Sequence, residues 1–417
     1  MFLQKNNFFL YDFFGVFLFV CSIYLWSIKF GFIEARHLII LLIIPIIYNK
    51  KFNKGDFVII LVCSILFIHK ILFIEGNKIL ESLLILFYLI ILIKILKEYY
   101  KKFLTTLSSQ INLFFILFIL SSAITSLYFL YEHNIFYTHC LIGCFSMFNI
   151  FFLENSHLGM MSSSLILYTL YLHSIKDKKI NFILFIIFLL ICFLNYSLTF
   201  FLGLIFNCLF IFVFFWKYIN RKYLIYLILT FILSSSIIVN NKGLFIKIQS
   251  APELVKSMIK TDDKKNINNN QLKLTENNEK IIVYKNLSSD VWFKSVKIAF
   301  NAVPNYLLGV GLNNYEIAHN QFIYKVVTKF ELTKKLNIQD ASNNLMKIVV
   351  EFGLFSFFLF YLILKFIFSK KIELNYKIFL LPNIFTQLLF RGAGYFNGGF
   401  VIFIIVMTYL IYEKEID

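Results

Sequence analysis

Charged residues, and arginine above all, are scarce in this sequence. Of its 417 residues 15% are charged and 59% are hydrophobic, and a soluble domain could not hide that much apolar surface. Lysine supplies most of the basic residues, because arginine occurs only as Arg36, Arg221 and Arg391. Since only the planar guanidinium binds a phosphate or carboxylate through two parallel hydrogen bonds, we expect a retained arginine to be less replaceable than a lysine.

Signatures of several common enzyme classes are also missing. None of the 6 cysteines falls in the long polar stretch between residues 241 and 344, so no disulfide framework is indicated. The sequence has no nucleotide-phosphate loop and no cluster with the ligand spacing of zinc or calcium sites. We therefore expect neither a metal nor another cofactor, and no use of cytoplasmic ATP or nucleotide sugars.

What the sequence does contain is a series of uninterrupted apolar runs. They recur at roughly 17–25 residues, the length that a helix needs to cross about 30 Å of hydrocarbon, and they lack the period-2 alternation of a transmembrane barrel. The sequence therefore predicts an all-α polytopic integral membrane protein with about 12 transmembrane helices. The predicted spans lie near residues 8–28, 36–48, 57–75, 79–96, 111–131, 158–174, 181–195, 198–216, 222–240, 345–368, 376–390 and 396–412.

Lysine clusters in the short loops predict the orientation. The formal net charge is +17, but lysines that flank apolar runs set topology and meet anionic headgroups, so we expect membrane lipids and no nucleic acid as partners. Twelve spans with both termini cytoplasmic place all of these clusters inside. Residues 136–153 are apolar but would break the pattern by crossing, so we expect them to be re-entrant or interfacial. The clusters are Lys50-Lys51-Lys54, Lys97-Lys101-Lys102, Lys176-Lys178-Lys179, Lys217-Arg221-Lys222 and Lys370-Lys371.

This topology places one large loop on the far, periplasmic side. The expected divisions are nine transmembrane helices in 1–240, the large periplasmic loop in 241–344, and three transmembrane helices in 345–417. A connector of this length carries function or is disordered, and its Asn/Lys-rich part, 261–283, is expected to be mobile. Residues 286–301 predict an amphipathic helix capped by Ser288 or Ser289.

Distinctive polar residues collect on the far side in four places. The four are residues 154–157 with Asn155 and His157, the turn 195–199 with Ser197, the distal half of the loop with His319, Asp340, Asn343 and Asn344, and residues 391–395, which begin with Arg391. Helix caps, a hairpin turn and a snorkelling arginine are the structural alternatives. If the helices bundle, the four places converge on one outer-leaflet site, rich in amides and poor in carboxylates.

An enzyme at such a site must use an activated substrate that is already in the membrane. A lipid diphosphate fits, because cationic groups stabilise the charge that develops on the leaving diphosphate. Amide side chains can orient the sugars of a glycan carried on that lipid.

With these residues the chain resembles the O-antigen ligase and polymerase superfamily of bacterial envelopes. Residues 304–311 (PNYLLGVG) resemble the proline-led approach to the family's Gly-x-Gly turn, while 342–345 (SNNL) and 351–356 (EFGLFS) resemble its His-Asn pair and the span that follows. Residues 154–160 (ENSHLGM) are similar to the family's Asn-containing start of an earlier span. The layout of twelve spans, with the large loop before the tenth, also matches.

Two departures from the family pattern concern chemistry. The family's loop histidine falls at Ser342, so we expect His319 or Asp340 to stand in for it. The family's Ser-Arg pair after a middle span appears here as Ser197-Leu198, and we expect Arg391 to bind the phosphate instead.

The resemblance implies a metal-independent glycosyl transfer in the bacterial inner membrane. An acceptor hydroxyl would attack the anomeric carbon of a glycan on undecaprenyl diphosphate, and the diphosphate would leave. Arg391 would clamp the diphosphate, and His319 or Asp340 would act as base or orienting group. The remaining candidates would bind substrate or shape the backbone: Asn155, His157, Ser197, Asn343, Asn344, Gly309, Gly311 and Gly353.

Three activities stay open at this point, and the loss of the family's His and Arg leaves a further possibility, a divergent enzyme with another acceptor such as a protein. A ligase would use a lipid A-core or similar acceptor, and the size and position of the loop favour it. A polymerase would transfer the glycan to another lipid-linked glycan. A flippase or transporter for lipid-linked glycans would instead need charges buried in mid-span, which are sparse here.

Overall fold

The computed structural model describes residues 79–132, 155–175, 180–194, 197–214, 276–326, 331–392 and 397–416, with a few residues elsewhere. The spans predicted near 8–28, 36–48, 57–75 and 222–240, the segment 136–153 and the Asn/Lys-rich part of the loop lie wholly or largely outside these residues.

The described part of the chain contains eleven α-helices, one short pair of strands, and 3-10 helices at Ile323–Lys325, Gly353–Phe355 and Asn397–Gly399. Strands β1 (Lys29–Phe30) and β2 (Ile33–Glu34) pair antiparallel, with Lys29 opposite Glu34. The helices are α1 (Ile79–Glu132), α2 (Asn155–Ile175), α3 (Phe182–Leu194), α4 (Leu198–Phe214), α5 (Glu276–Ala302), α6 (Tyr315–Phe322), α7 (Glu331–Lys335), α8 (Asn344–Phe352), α9 (Ser356–Phe368), α10 (Leu374–Leu389) and α11 (Phe400–Ile416).

Helix α1 departs from the prediction of two spans with a lysine-bearing loop between them. It runs unbroken through Lys97, Lys101 and Lys102, and at about 1.5 Å per residue it is about 81 Å long. The reason lies in the local sequence, because residues 79–132 contain neither proline nor glycine to end the helix. Of this helix, Leu107–Ile124 is long and apolar enough to cross a membrane.

The second segment in the described part of the chain that is long and apolar enough to cross is Asn344–Phe368. It is not one straight helix, since α8 ends at Gly353, which has φ +52° and opens a 3-10 turn before α9. Shorter apolar helices lie at Ile183–Phe193, Thr199–Phe210 and Phe400–Tyr412. The described residues thus agree with a helical membrane protein and do not establish the number of spans.

The centre of the bundle is the contact of α2 with α4 and α10. A Cβ on Gly159 would lie 2.6 Å from the backbone nitrogen of Phe200, so the two helices approach closely because this position has no side chain. Helix α1 packs against α3 and α11, with the rings of Phe115 and Phe188 at 4.9 Å between centroids. The hydroxyl of Tyr168 donates to the carbonyl of Leu104 at 3.1 Å and joins α2 to α1.

The distal half of the large loop folds around a second apolar core. Ile298 and Ala302 of α5 pack there with Tyr315 and Phe322 of α6. The helix predicted for 286–301 is present but begins at Glu276, so the prediction that Ser288 or Ser289 caps it is wrong. The helix continues through both serines, because apolar residues occur at helical spacing before and after them in the sequence.

One tryptophan joins this loop core to the bundle. The indole nitrogen of Trp292 donates to the carbonyl of Leu389, at the end of α10, over 2.8 Å. Replacing Trp292 with phenylalanine removes this bond and is expected to lower the free energy of unfolding by about 1 kcal/mol. Thermal unfolding in detergent measures the loss, and Phe293→Leu on the same helix serves as the comparison. An unchanged melting temperature for Trp292→Phe would mean that the bond contributes nothing to docking.

Candidate functional site

Two of the four polar places predicted from sequence meet directly. The amide of Gly392 donates to the carbonyl of Ser342 over 3.0 Å, and the side-chain amide of Asn344 donates to the carbonyl of Gly394 over 3.3 Å. A Cβ on Gly392 would lie 2.2 Å from Oδ1 of Asn344. The start of α8 and the segment after α10 therefore pack directly against each other, and we call this contact the junction (residues 340–344, 391, 392, 394 and 395).

The backbone leading into α8 is strained. Ala341 and Ser342 both adopt positive φ, at 55° and 65°, which costs roughly 1–2 kcal/mol for each non-glycine residue. Asn343 then caps α8 by accepting the amide of Met346 over 2.9 Å. Strain of this kind persists where the surroundings hold the backbone in place, and such places include binding and active sites.

Asp340 and Arg391 lie at the edges of the junction. Asp340 is exposed, and a Cβ on Gly394 would lie 3.4 Å from its Oδ1. Arg391 is half-buried, and its backbone amide donates to the carbonyl of Thr386 at the end of α10. The junction thus offers a water-accessible carboxylate and a guanidinium carried on adjoining segments.

Beneath the junction a carboxylate binds four groups from three segments. Glu351 is fully buried and accepts the backbone amides of Asn313 and Tyr315, at 2.8 and 3.1 Å, and the hydroxyl of Tyr395 at 2.6 Å. It pairs with Lys347, one turn earlier, at 3.2 Å. Burial and the adjacent Glu351 raise the pKa of Tyr395 well above its ordinary value, so the phenol stays protonated and donates.

From the sequence, Glu351 was identified only as a letter of the family motif, and neither Lys347 nor Tyr395, the last residue of the fourth polar place, was given a role. Lysine and glutamate four residues apart in an otherwise apolar helix were the available signal. The spacing alone does not show that both side chains are buried, here with 2% and 0% of their surface exposed. Tyr395 had no local signal, because its partner is 44 residues away along the chain.

The Gly-x-Gly turn packs onto the end of α8. The amides of Val310 and Gly311 donate to the carbonyls of Val350 and Glu351 over 3.0 and 2.9 Å. A Cβ on Gly309 would lie 2.2 Å from the carbonyl oxygen of Glu351. Since Gly309 and Gly311 also have positive φ, glycine meets both the conformational and the steric demand of this contact.

His319 faces inwards, away from the exposed surface. Its side chain is 2% exposed, and its Nε2 lies 3.2 Å from Nζ of Lys294 on α5. Lys294 also donates to the carbonyls of Thr333, within α7, and Leu336, just after it. Burial, and then the charge of Lys294, lower the pKa of His319. The contacts of His319 and Lys294 therefore link α5, α6 and α7.

The buried Lys294 makes stability depend on pH. Burial lowers its pKa to about 8, whereas the unfolded chain keeps the ordinary value near 10.5. Below pH 8 both states are protonated and the cost of burying the charge is fully present. From pH 8 to 10.5 the unfolded state binds more protons, so stability rises with pH.

Between pH 8 and 10.5 the free energy of unfolding of the wild type should therefore rise by up to about 3 kcal/mol. Lys294→Met lacks the titrating amine and should not show this rise. Melting temperatures of both proteins between pH 7 and pH 10 measure it. Lys335→Met, which removes an exposed lysine from α7, should keep the pH dependence of the wild type. Parallel curves for the wild type and Lys294→Met would contradict the assignment.

The other two polar places lie at the ends of the central bundle helices. His157 is buried in the first turn of α2, and Ser197 is buried just before α4. A Cβ on Gly398 would lie 2.5 Å from the methyl carbon of Met160, so the start of α2 lies beside the turn that follows the junction. The backbone of Asn155 begins α2, while its side chain is outside the described part. Among the residues described, no three His, Cys, Asp or Glu side chains cluster as metal ligands.

Residues 182–361 match a protein-family model described as O-antigen ligase. Over these residues the chain is similar to the O-antigen ligase family, which supports the resemblance to the O-antigen ligase and polymerase superfamily. The match includes the Gly-x-Gly turn, His319 and α8, and it ends before Arg391. No curated protein and no solved structure matches the chain.

This match supports an O-antigen ligase or polymerase type of function in general. O-antigen ligases and polymerases are membrane proteins of the bacterial inner membrane with glycosyltransferase-like activity, and their partners are lipid-linked glycans and acceptors. The apolar helices of the described chain agree with that location.

Proposed function

We propose that the chain is an O-antigen ligase-like glycosyltransferase that moves a glycan from undecaprenyl diphosphate to a lipid A-core or similar acceptor on the periplasmic face. The observation that carries the proposal is the junction. It combines the family motif at the start of α8 with Arg391, one of the three arginines of the chain. In the predicted topology both termini are cytoplasmic and the loop of 241–344 is periplasmic.

Arg391 is proposed to clamp the leaving diphosphate. A guanidinium binds phosphate oxygens through two parallel hydrogen bonds and stabilises the charge that grows as the glycosidic bond breaks. The close contacts of Gly392 with Ser342 and Asn344 hold the arginine's segment against α8. This geometry supports a fixed position for the clamp without any metal.

Asp340 is proposed as the group that accepts the proton of the attacking hydroxyl. It is exposed and lies beside Gly394, so an acceptor can reach it. His319 is buried, and its Nε2 is beside Lys294, which supports a role in holding the loop core together. Asn343 and Asn344 already bind Met346 and Gly394, so we assign them to the shape of the junction more than to sugar contacts.

A reconstitution of purified protein with lipid-linked glycan donor and candidate acceptors, without nucleotide or metal, tests the proposal. Arg391→Ala is expected to lower the transfer rate by about 100-fold or more, Arg391→Lys by less, and Asp340→Asn strongly. His319→Ala should act through stability, so its melting temperature falls with its activity. Lys370→Ala, at an exposed lysine beyond the opposite end of α9, is the matched control.

The acceptor that is consumed distinguishes the two family activities. Transfer to lipid A-core identifies a ligase, and growth of the lipid-linked glycan identifies a polymerase. Absence of transfer to any acceptor, with donor moved across a liposome bilayer, would reject both and favour a flippase.

A further inference from the structure

Two leucines of the Gly-x-Gly turn project from the loop core without covering protein atoms. Leu307 is 58% exposed and Leu308 is 52% exposed. Leu354 and Phe355, in the 3-10 turn between α8 and α9, are exposed to a similar degree, at 53% and 55%. We call these four residues the wedge. In water, four large apolar side chains exposed side by side would be costly.

The wedge is held together by the backbone. The amide of Leu354 donates to the carbonyl of Leu307 over 2.9 Å, and a Cβ on Gly353 would lie 2.1 Å from that same carbonyl oxygen. The amide of Gly309 closes the turn by donating to the carbonyl of Tyr306 over 2.9 Å. The leucines are therefore fixed beside Leu354 and do not belong to a loosely attached loop.

The wedge continues the exposed apolar face of α9. That helix presents a row of exposed aromatic and aliphatic side chains along its length, as a helix facing lipid does. The row consists of Phe357, Phe358, Tyr361, Leu364 and Phe368, each at least 53% exposed.

The length of α9 sets the depth of the wedge. Helix α9 has 13 residues, whereas about 20 are needed to cross 30 Å of hydrocarbon. Counted back from Ser369, which caps α9 before the exposed Lys370 and Lys371, that length reaches close to Val350. Leu354 is then about four residues, or about 6 Å, inside the outer boundary.

We propose that the wedge is inserted into the outer leaflet, with Leu307 and Leu308 against the upper part of the lipid acyl chains. The buried pair of Lys347 and Glu351 lies one turn from it, enclosed by protein at the level of the boundary. Insertion to a depth of about 5–10 Å is typical of interfacial apolar segments. The wedge would hold the junction at headgroup height, independently of the reaction that the junction performs.

Added tryptophans report the depth. The full chain with Leu308→Trp, or Leu307→Trp as a second reporter, is reconstituted into vesicles of phosphatidylcholine brominated on the acyl chains. The fluorescence of the unsubstituted protein, with its 3 native tryptophans, is subtracted. Lys335→Trp, at an exposed lysine of the same loop core, is the matched control.

The proposal predicts that the added fluorescence of both leucine reporters is blue-shifted, loses most of its intensity to the brominated chains and resists iodide in the water. The control should show the opposite pattern. Quenching of the leucine reporters by iodide but not by brominated chains would overturn the proposal, because the wedge would then face water. Protection from both quenchers would overturn it in favour of a second copy of the chain covering the wedge.

Discussion

Replacing Glu351 with glutamine is expected to lower the free energy of unfolding by about 3–5 kcal/mol. The carboxylate is fully buried and holds the amides of Asn313 and Tyr315 and the hydroxyl of Tyr395. Glutamine keeps the shape but removes the charge, so the ammonium of Lys347 is left buried without its anion. Removal of one partner from a buried ion pair is among the most damaging single changes.

Thermal unfolding in detergent measures the loss of stability of Glu351→Gln. Two further variants test whether the buried ion pair causes that loss. Glu373→Gln, at an exposed glutamate before α10, should change stability by no more than about 0.5 kcal/mol. The double variant Lys347→Met, Glu351→Gln should recover part of the loss, because no unpaired charge is then buried. If Glu351→Gln had the same melting temperature as Glu373→Gln, the ion pair of Lys347 and Glu351 would have no role in stability.

Transfer activity should fall with this network even in the fraction that remains folded. Tyr395 ends the segment that begins with Arg391, and its hydroxyl is bound by Glu351. Loosening that bond frees the segment from α8. The structural role of Glu351 and the proposed chemical role of Arg391 can be separated, because Arg391→Ala should lower the transfer rate by far more than its change in stability explains.

The sequence predicted the helical character of the protein better than the contacts between its polar residues. Long apolar runs predict helices on composition alone, and α2, α3, α4, α10 and α11 lie where runs were found. The meeting of Ser342 with Gly392 depended on helix packing that no local pattern specifies. It was predicted only as a convergence of four polar places.

Two misplaced boundaries have local physical explanations. The lysines at 97, 101 and 102 indicate a loop when read as topology signals, but lysine is also a good helix former, and α1 continues through them. Ser288 and Ser289 suit a helix cap in isolation, yet they lie within α5 because residues on both sides favour the helix. Charge and capping rules predict where a helix can end, and neighbouring residues decide whether it does.

The buried amines were beyond sequence analysis for a different reason. Lys294 and Lys347 are each about as buried as a core phenylalanine, at 1% and 2% exposed, although lysines elsewhere in the chain suit a headgroup or water. Their partners are backbone carbonyls and a carboxylate brought together by the fold. Composition gives the number of lysines but does not show which of them are buried in the folded protein.

The second large effect is expected at Gly353, where substitution by alanine should lower the free energy of unfolding by roughly 2–5 kcal/mol. Its Cβ would lie 2.1 Å from the carbonyl oxygen of Leu307, and that oxygen is held by the amide of Leu354, so the turn must move away from α8. The positive φ of 52° adds strain of roughly 1–2 kcal/mol, and forced overpacking adds typically 1–3 kcal/mol.

Gly394→Ala measures the loss of stability that comes from positive φ alone, without a steric clash. Gly394 also has positive φ, at 80°, but its added Cβ would meet nothing closer than Asp340 Oδ1 at 3.4 Å. The expected loss there is the strain alone, roughly 1–2 kcal/mol, measured as the difference in melting temperature from the wild type. Gly309→Ala, with a clash at 2.2 Å against Glu351, should resemble Gly353→Ala. If all three variants lost the same stability, positive φ alone would explain the glycines, and the close packing of the Gly-x-Gly turn on α8 would not be needed for folding.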